Sequence, residues 1–211
     1  MTELALPKQP IRVLIVDDHP VVRDGIAGLL QRQDDMEAVG EASDGVEAVA
    51  RFRELAPDVT LMDVQMEGMD GIEAMKLIRQ HAPQAKVLVL TTFPGDAQII
   101  RAMRAGAAGY LLKNCFRKEL VEAIRSVHMG RRVMSADSAH ELAIHALDTP
   151  LTGRELEILR LVANGRSNKQ IGGTLSLSVD TVKAHLKSAF AKLGVNDRTH
   201  AVTVATRRGF I

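Results

Sequence analysis

The sequence predicts an α/β unit built on a doubly wound, five-stranded parallel sheet, followed by a smaller all-α unit of four helices. Strand-like apolar runs alternate with helix-like segments through the first 130 residues, and no strand pattern follows Pro150. The length of 211 residues also exceeds the usual size of one domain. We therefore predict domains at 9–130 and 150–211. They are joined by a linker at 131–149 with a helical stretch around 136–147.

Five short runs rich in β-branched and apolar residues mark the strands of the first unit, at 11–16, 37–41, 59–63, 86–91 and 109–113. Segments with apolar residues at helical spacing follow them, at 21–30, from 44 onward, at 70–81, 96–105 and 117–129. Parallel strands need crossover connections, and helices of this length provide them. The alternation therefore predicts a parallel sheet covered by helices on both faces.

Helix-start signals mark the second unit. Thr152 with Glu155, and Ser167 with Gln170, fit the capping box, in which two side chains satisfy each other's backbone amides. Two further helices are predicted at 178–193 and 197–208, the first with Ser178 as its N-cap and Gly194 just past its end. Four short helices fill this unit.

The net charge of +1 conceals an asymmetry. Residues 1–147 carry 17 Lys/Arg against 21 Asp/Glu, a net −4, whereas residues 148–211 carry 10 against 5, a net +5. The second unit is therefore the one expected to meet a polyanion. The first ten residues lack a signal-peptide pattern and no run of about 18 apolar residues occurs, so we expect a cytoplasmic protein. The single cysteine, Cys115, excludes an internal disulfide.

Polar residues end four of the predicted strands. Asp17 and Asp18 follow the first strand, Asp63 ends the third, Thr91 the fourth and Lys113 the fifth. Because ligands bind at the C-terminal strand ends of an open parallel sheet, these side chains are expected to converge. Three carboxylates in one crevice repel one another and favour a hard divalent cation, with Mg²⁺ the natural choice. Any one aspartate could instead only cap the next helix, but the whole set favours a cation site.

Residues 11–129 resemble the receiver domains of two-component response regulators, whose fold is flavodoxin-like. The matching features are the acidic pair in VLIVDDHP, the aspartate in LMDVQMEGMDG, the threonine in VLVLTT and the lysine in GAAGYLLK. Each motif alone is weak, whereas the combination is specific. The resemblance implies a protein that accepts a phosphoryl group from a sensor histidine kinase.

By this resemblance, Asp63 is the phosphoryl acceptor and attacks a phosphohistidine of the kinase. Asp18, with Asp17 acting directly or through water, holds Mg²⁺ together with Asp63 and the backbone carbonyl of Gln65. Phosphoryl transfer depends mainly on in-line positioning and on neutralising the phosphoryl oxygens, which a metal, a lysine and a hydroxyl provide. His19, beside the acidic pair, is interpreted as a helix-entry residue rather than a ligand.

The resemblance also assigns the phosphoryl-binding and switch residues. Thr91 donates a hydrogen bond to a phosphoryl oxygen and Lys113 pairs with another, while Tyr110 is the switch aromatic that swings inward as Thr91 moves. Tyr110 could equally be a half-buried packing residue. Two positions depart from the family pattern: Glu67 replaces a common proline, and Thr92 is larger than the usual Ala or Gly, so they put rates rather than the role in doubt.

The third helix of the second unit has two chemically distinct faces. Its apolar residues recur at helical spacing and define a core face, namely Val182, Leu186, Ala189, Phe190 and Leu193. The other face carries small residues and two lysines, namely Thr181, Lys183, Ala184, Lys187 and Ser188. Two lysines alone are usually solvated surface charges. The short preceding helix, the turn and the local net charge favour a helix-turn-helix that binds DNA.

Residues 151–211 closely resemble the LuxR-type DNA-binding domain, so the whole chain resembles the NarL/FixJ group of response regulators. This resemblance implies a recognition helix at 180–193, with Lys183, Ala184 and Lys187 facing the major groove and Thr181 on the DNA backbone. The final helix, with Val202 and Ala205, would form the dimer contact. The expected partners are a sensor histidine kinase, DNA with two-fold symmetric sites and a second copy of the chain, with RNA polymerase as a further candidate.

Gly172 and Gly173 depart from the family pattern, in which helix formers occupy these positions. They either soften the helix, at about 1 kcal/mol for each glycine relative to alanine, or permit closer backbone packing. The sequence leaves both interpretations open.

Three other kinds of protein share parts of this pattern. A Mg²⁺-dependent phosphatase has its two aspartates one residue apart, with the nucleophile first, whereas here the acidic pair is adjacent and the candidate nucleophile lies 45 residues later. A ligand-binding quorum-sensing regulator needs an aromatic pocket, and this chain has no Trp and one Tyr. A regulator that works without phosphorylation is disfavoured by the intact acidic, threonine and lysine set. Whether activation proceeds by dimerisation or by relief of interdomain occlusion stays open.

Overall fold

The computed structural model describes residues 9–92, 95–115 and 117–211, which fall into two compact units. The first comprises described residues up to 92 together with 99–139, and the second comprises 95–98 with 140–211. Residues 1–8, part of the segment in which no signal peptide is predicted, lie outside the described residues. Within the described ranges, no helix is long and apolar enough to cross a membrane.

Strands and helices alternate through the first half of the chain. The strands are β1 (Ile11–Val16), β2 (Met36–Ala42), β3 (Val59–Met62), β4 (Val87–Thr91), β5 (Gly109–Leu112) and β6 (Val133–Met134). The helices are α1 (Pro20–Leu30), α2 (Gly45–Leu55), α3 (Gly71–His81), α4 (Asp96–Arg104), α5 (Arg117–His128) and α6 (Ala136–Ile144). The predicted βα alternation is confirmed.

All strands of the sheet are parallel, in the order β2-β1-β3-β4-β5-β6. The central strand β1 has Val13, Leu14 and Ile15 fully buried, as expected for a strand covered on both faces. The chain passes from β1 to β2 at one edge of the sheet and then crosses back to β3, which pairs with the other side of β1. This reversal between β1 and β3 is the switch point at which open α/β sheets bind ligands.

The sheet has one strand more than predicted. β6 pairs with β5, with Gly109 opposite Val133 and Tyr110 opposite Met134, so part of the predicted linker extends the sheet. A strand of two residues is too short to produce an alternating pattern, which is why the sequence predicted five strands. The helical stretch predicted near 136–147 is present in part, as α6, which ends at Ile144.

Four helices make up most of the second unit: α7 (Gly153–Ala163), α8 (Asn168–Leu175), α9 (Val179–Leu193) and α10 (Arg198–Arg207). Both predicted capping boxes are formed, at the starts of α7 and α8. Ser178 caps α9, and Gly194 ends it in the left-handed conformation with φ of 67°. The core of the unit contains the predicted apolar face of α9, together with Ile158, Ile171 and Ala201.

Candidate functional site

Strand pairing brings the acidic residues of the first unit together. In the register of β1 and β3, Val16 lies opposite Met62, so Asp17 and Asp63 follow side by side at the C-terminal edge of the sheet. The amide of Asp63 donates to the carbonyl of Val16 at 2.8 Å and fixes this pairing. Asp17 and Asp63 are 1% and 3% exposed. Two carboxylates are thus buried at the switch point, where an uncompensated charge is costly.

Lys113 joins these two carboxylates. Its ammonium Nζ lies 2.7 Å from Asp17 Oδ2 and 2.7 Å from Asp63 Oδ2. Burial lowers the pKa of Lys113, but its hydrogen bonds to both aspartates outweigh this and raise the pKa above its usual value. Burial also raises the pKa of Asp63, and the Lys113 ammonium only partly offsets that effect. Lys113 therefore stays charged and supplies the positive charge that the acidic pocket needs.

Thr91 and Tyr110 lie behind the pocket on adjacent strands. Both residues are fully buried, and the Tyr110 hydroxyl shares a hydrogen bond with Thr91. Burial raises the pKa of Tyr110, with a small opposing effect from the Thr91 hydrogen bond and a further increase from the Asp63 charge. Tyr110 thus points inward as a neutral hydroxyl rather than lying half-buried at the surface.

Asp18 and His19 lie at the mouth of the pocket. The carboxylate oxygen Oδ1 of Asp18 is buried, and the exposed His19 imidazole lies beside it. His19 Nδ1 approaches it to 2.5 Å and lies 3.3 Å from Asp17 Oδ1. Asp17, Asp18, His19 and Asp63 can each offer one ligand atom, and these four atoms lie within 4.8 Å of one another. Such a group of donors can hold a metal ion.

The remaining predicted residues of the first unit follow pocket residues along the chain. The Gln65 amide donates to Asp63 Oδ1 at 3.3 Å, and the Gln65 side chain is exposed. Glu67 and Thr92, the two departures from the family pattern, are also exposed. Both side chains are therefore accessible to solvent.

Sequence reasoning missed two residues that hold the pocket in shape. Arg23 on α1 donates through Nη1 to the Asp17 carbonyl at 2.7 Å and through Nε to Glu41 at 3.0 Å. At Gly71, a Cβ atom would overlap the Asp63 carbonyl oxygen, so only glycine lets α3 begin this close to the strand end. The Asp-Gly pair at 70–71 was a usable signal for Gly71, whereas nothing in the sequence pointed to Arg23.

The predicted outer face of α9 is exposed. Thr181, Lys183, Ala184 and Lys187 are all accessible to solvent. Lys183 and Lys187 also border a surface groove. Lys183 pairs with Asp180 at 3.2 Å, an exposed contact that adds little to stability and that a phosphate could replace.

One residue of that face has a different partner. The Ser188 hydroxyl donates to Glu155 Oε1 at 2.6 Å, and the Lys192 ammonium lies 2.8 Å from Glu155 Oε2. Burial alone would raise the pKa of Glu155, but the Lys192, Ser188 and Thr152 hydrogen bonds lower it to about 2. Ser188 therefore ties α9 to the capping box of α7.

The two glycines of α8 differ in their surroundings. A Cβ atom at Gly172 would lie 2.7 Å from the Leu177 carbonyl oxygen, whereas one at Gly173 would meet nothing within 4 Å. Gly172 therefore permits close packing of α8 on the following turn. Gly173 is exposed and has no packing reason.

The two residues of the predicted dimer contact on α10 differ in exposure. Ala205 is fully buried in the core of its own unit and offers no surface to a second copy in this structure, so its dimer contact stays a prediction. Helical spacing places Val202 and Ala205 on one side of α10, but that side faces inward at Ala205. Val202 is only partly buried and keeps a surface that a partner could contact.

Two family models match the chain. Residues 13–125 match the response regulator receiver domain, and residues 149–205 match the luxR family of bacterial regulatory proteins. The transcriptional regulatory protein LiaR of Bacillus subtilis is 43% identical over 209 residues, covering 95% of this chain and 99% of LiaR. The response regulator protein VraR of Staphylococcus aureus is 42% identical over 206 residues, with the same two coverages.

Solved structures agree with these matches. The response regulator ChrA of a heme-sensing two-component system has 39% identity and a TM-score of 0.58, covering 96% of this chain and 99% of that one. RcsB from Salmonella enterica serovar Typhimurium, bound to a promoter in the presence of the phosphomimetic BeF₃⁻, has 29% identity and a TM-score of 0.74. That match covers 94% of this chain and 99% of RcsB. The chain belongs to the response regulators that join a receiver domain to a LuxR-type DNA-binding domain, and it is a DNA-binding transcription regulator.

Proposed function

We propose that a sensor histidine kinase transfers a phosphoryl group to Asp63, and that this phosphorylation controls binding of the chain to DNA. The observation that carries the proposal is the arrangement of Asp63. Its carboxylate is buried at the switch point of the sheet and lies 2.7 Å from the Lys113 ammonium, which also holds Asp17. The aspartyl phosphate carries more negative charge than the free carboxylate, and the fixed positive charge of Lys113 stabilises that additional charge.

In the transfer, a carboxylate oxygen of Asp63 bonds to phosphorus while the phosphorus–nitrogen bond of the phosphohistidine breaks. The imidazole leaves, and the aspartyl phosphate remains on the regulator. Because burial raises the pKa of Asp63, the positive charge of Lys113 helps to keep it ionised for attack. The chain thus assists its own phosphorylation and also its later dephosphorylation, in which water attacks the phosphorus, the bond to the Asp63 oxygen breaks and inorganic phosphate leaves, without turning over a separate substrate.

The acidic residues fit a magnesium ion. Asp17, Asp18 and Asp63 offer carboxylate oxygens that lie within 4.8 Å of one another, and hard carboxylate oxygens are the ligands that Mg²⁺ prefers. Together with the Gln65 carbonyl, these groups would hold Mg²⁺. When bound, the ion neutralises negative charge on the phosphoryl oxygens.

Two side chains bind the phosphoryl group once it is attached to Asp63. The Thr91 hydroxyl donates to one phosphoryl oxygen and the Lys113 ammonium pairs with another. In the structure, Thr91 shares its hydrogen bond with the buried Tyr110, so a Thr91 that turns toward phosphate must give up this partner. This exchange couples the pocket to the position of Tyr110 and provides the two-state element that a switch requires.

On the DNA side, Lys183, Ala184 and Lys187 would enter the major groove and Thr181 would contact the backbone. Their joint exposure on α9 supports this role. One neighbour is described as two RcsB dimers bound to two parallel DNAs, and by analogy the phosphorylated chain would bind two-fold sites as a dimer. Val202 contributes to that contact. Contact with RNA polymerase and action in the cytoplasm follow from a role in transcription.

The experiment is phosphorylation by acetyl phosphate in Mg²⁺, followed by intact-mass analysis. The parent chain should gain one phosphoryl group, Asp63→Asn should gain none, and labelling should fail in excess EDTA. Asp24→Asn is the matched control, because Asp24 is an exposed aspartate on α1. A phosphorylated Asp63→Asn protein would reject the assignment of the acceptor.

A further inference from the structure

An acidic side chain lies on the face of α9 that the proposed function assigns to DNA. Asp180 directly follows Val179, the first residue of α9, and its side chain is 91% exposed. Val182 is fully buried, and at 3.6 residues per turn a residue two positions away lies on the opposite side of the helix. Asp180 also lies four positions before Ala184 and seven before Lys187, so it shares their face. The carboxylate is therefore directed away from the core.

A carboxylate at this position opposes binding to the DNA backbone, because phosphates repel it. Asp180 is the only acidic residue of α9, and residues 148–211 otherwise carry a net positive charge. The N-terminal residues of a recognition helix are the ones that contact base edges, so the repulsion is felt in any DNA complex of α9. Asp180 therefore lowers the affinity for every DNA sequence except those in which a base donates a hydrogen bond to it.

Asp180 presents its carboxylate together with the ammonium of Lys183. Lys183 Nζ lies 3.2 Å from Asp180 Oδ1, and both side chains are exposed. The two heads form a hydrogen-bond acceptor beside a donor. In the major groove, cytosine presents its N4 amino donor, and guanine presents its O6 and N7 acceptors. N4 and O6 are adjacent because they bond to each other in the base pair, so the pair of side chains complements a cytosine–guanine pair.

Adenine also has an amino donor in the major groove, but its N7 acceptor lies beside that donor. The second carboxylate oxygen of Asp180 would be repelled by N7. Thymine offers no donor there, only its O4 acceptor and a methyl group. Cytosine is therefore the base that suits this carboxylate.

We propose that Asp180 and Lys183 bind one cytosine–guanine pair together. Asp180 accepts a hydrogen bond from the cytosine N4 amino group, and Lys183 donates one to the guanine O6 of the same pair. Asp180 is thus a specificity-determining residue of α9. The inference rests on the proposed function, because it takes α9 to be the helix that enters the major groove.

The test uses the full chain phosphorylated by acetyl phosphate in Mg²⁺. The parent selects duplexes from a random library, and fluorescence anisotropy then measures its affinity for the selected duplex and for versions with each base pair replaced in turn. The parent should prefer cytosine–guanine at one position by about fivefold or more. Asp180→Ala should lose this preference and bind random duplexes more tightly, because the repelling carboxylate is gone. Lys183→Ala should lose preference at the same base pair.

Two comparisons exclude an indirect effect of the substitution. A carboxylate in the first turn also stabilises a helix through its dipole, but loss of that stabilisation would weaken binding to all versions of the duplex alike. Glu157→Ala is the matched control, because Glu157 is an exposed acid of the same unit that pairs with Arg154, three positions before it on α7, at 2.7 Å. This variant should keep the base preference of the parent.

The outcomes separate this inference from the proposed function. Loss of the preference in Asp180→Ala, with Glu157→Ala like the parent, supports the inference. A preference that Asp180→Ala keeps, or that both variants lose, overturns the role of Asp180. If Lys187→Ala still weakens binding in that case, the placement of α9 on DNA stands. Binding that is unchanged in Asp180→Ala, Lys183→Ala and Lys187→Ala overturns both the inference and the placement of α9 in the proposed function.

Discussion

Replacing the two neighbouring glycines of α8 by alanine should change stability in opposite directions. Gly173 lies in the interior of a helix and a Cβ atom there meets nothing within 4 Å, so Gly173→Ala should gain about 1 kcal/mol from helix propensity. At Gly172 the same gain is opposed by a Cβ atom 2.7 Å from the Leu177 carbonyl oxygen. Backbone must move to relieve that contact, and overpacking of this kind costs about 1 to 3 kcal/mol. Gly172→Ala should therefore be neutral to destabilising by about 2 kcal/mol.

The assay is urea unfolding of the full chain followed by far-ultraviolet circular dichroism. The two units can unfold separately, so the transition to compare is the one that Gly173→Ala shifts. The double variant matters as well, because adjacent sites need not be additive. Equal stabilisation by both substitutions would refute the reasoning, since it would mean that Gly172 has no close neighbour and that both glycines only soften the helix.

Two further predictions concern the second unit. If Lys183 or Lys187 contacts a phosphate, its replacement by alanine should lower the steepness of log affinity for DNA against log salt by about one unit. If the lysine instead binds a guanine edge, its loss should cost about 1 to 3 kcal/mol at that base. Titrations on specific and random duplexes distinguish the two cases, and an effect of Lys76→Ala with none from the α9 lysines would contradict the placement of α9. The pKa of Glu155 is lowered in the folded state to about 2 from 4.5, so its stabilisation is present above about pH 4.5 and is lost as the pH falls toward 2. This contribution is at most about 3 kcal/mol. Glu155→Gln should unfold more easily at pH 7 and lose that part of the acid dependence, and an unchanged acid transition would count against the Lys192 pairing.

The sequence predicted most of the fold because local signals and tertiary environment agree. β1 is buried on both faces and its letters IRVLIV form an almost continuous apolar run, while the capping boxes of α7 and α8 involve residues only three positions apart. β6 was missed because a strand of two residues is too short to show an alternation of apolar and polar residues. This strand forms because it pairs with the edge of β5, and that pairing is a tertiary contact.

The sequence predicted which residues form the candidate site, but it did not predict which of their atoms contact one another. Strand-end positions brought Asp17, Asp63 and Lys113 to one edge, but the equal 2.7 Å contacts of Lys113 depend on side-chain conformations. Ala205 shows the limit most clearly. Helical spacing identified a face of α10 without telling whether that face packs inward or meets a partner, and at Ala205 it packs inward.

Phosphorylation-dependent DNA binding by the parent chain and by Asp63→Asn tests the central claim most directly. A duplex selected from a random library by the phosphorylated parent is titrated with each protein, with and without acetyl phosphate and Mg²⁺, and fluorescence anisotropy reports the affinity. The account predicts that acetyl phosphate strengthens binding by the parent and by Asp24→Asn but leaves Asp63→Asn unchanged. Equal strengthening of Asp63→Asn, or no response of a parent chain shown by mass to be phosphorylated, would contradict control of DNA binding through Asp63.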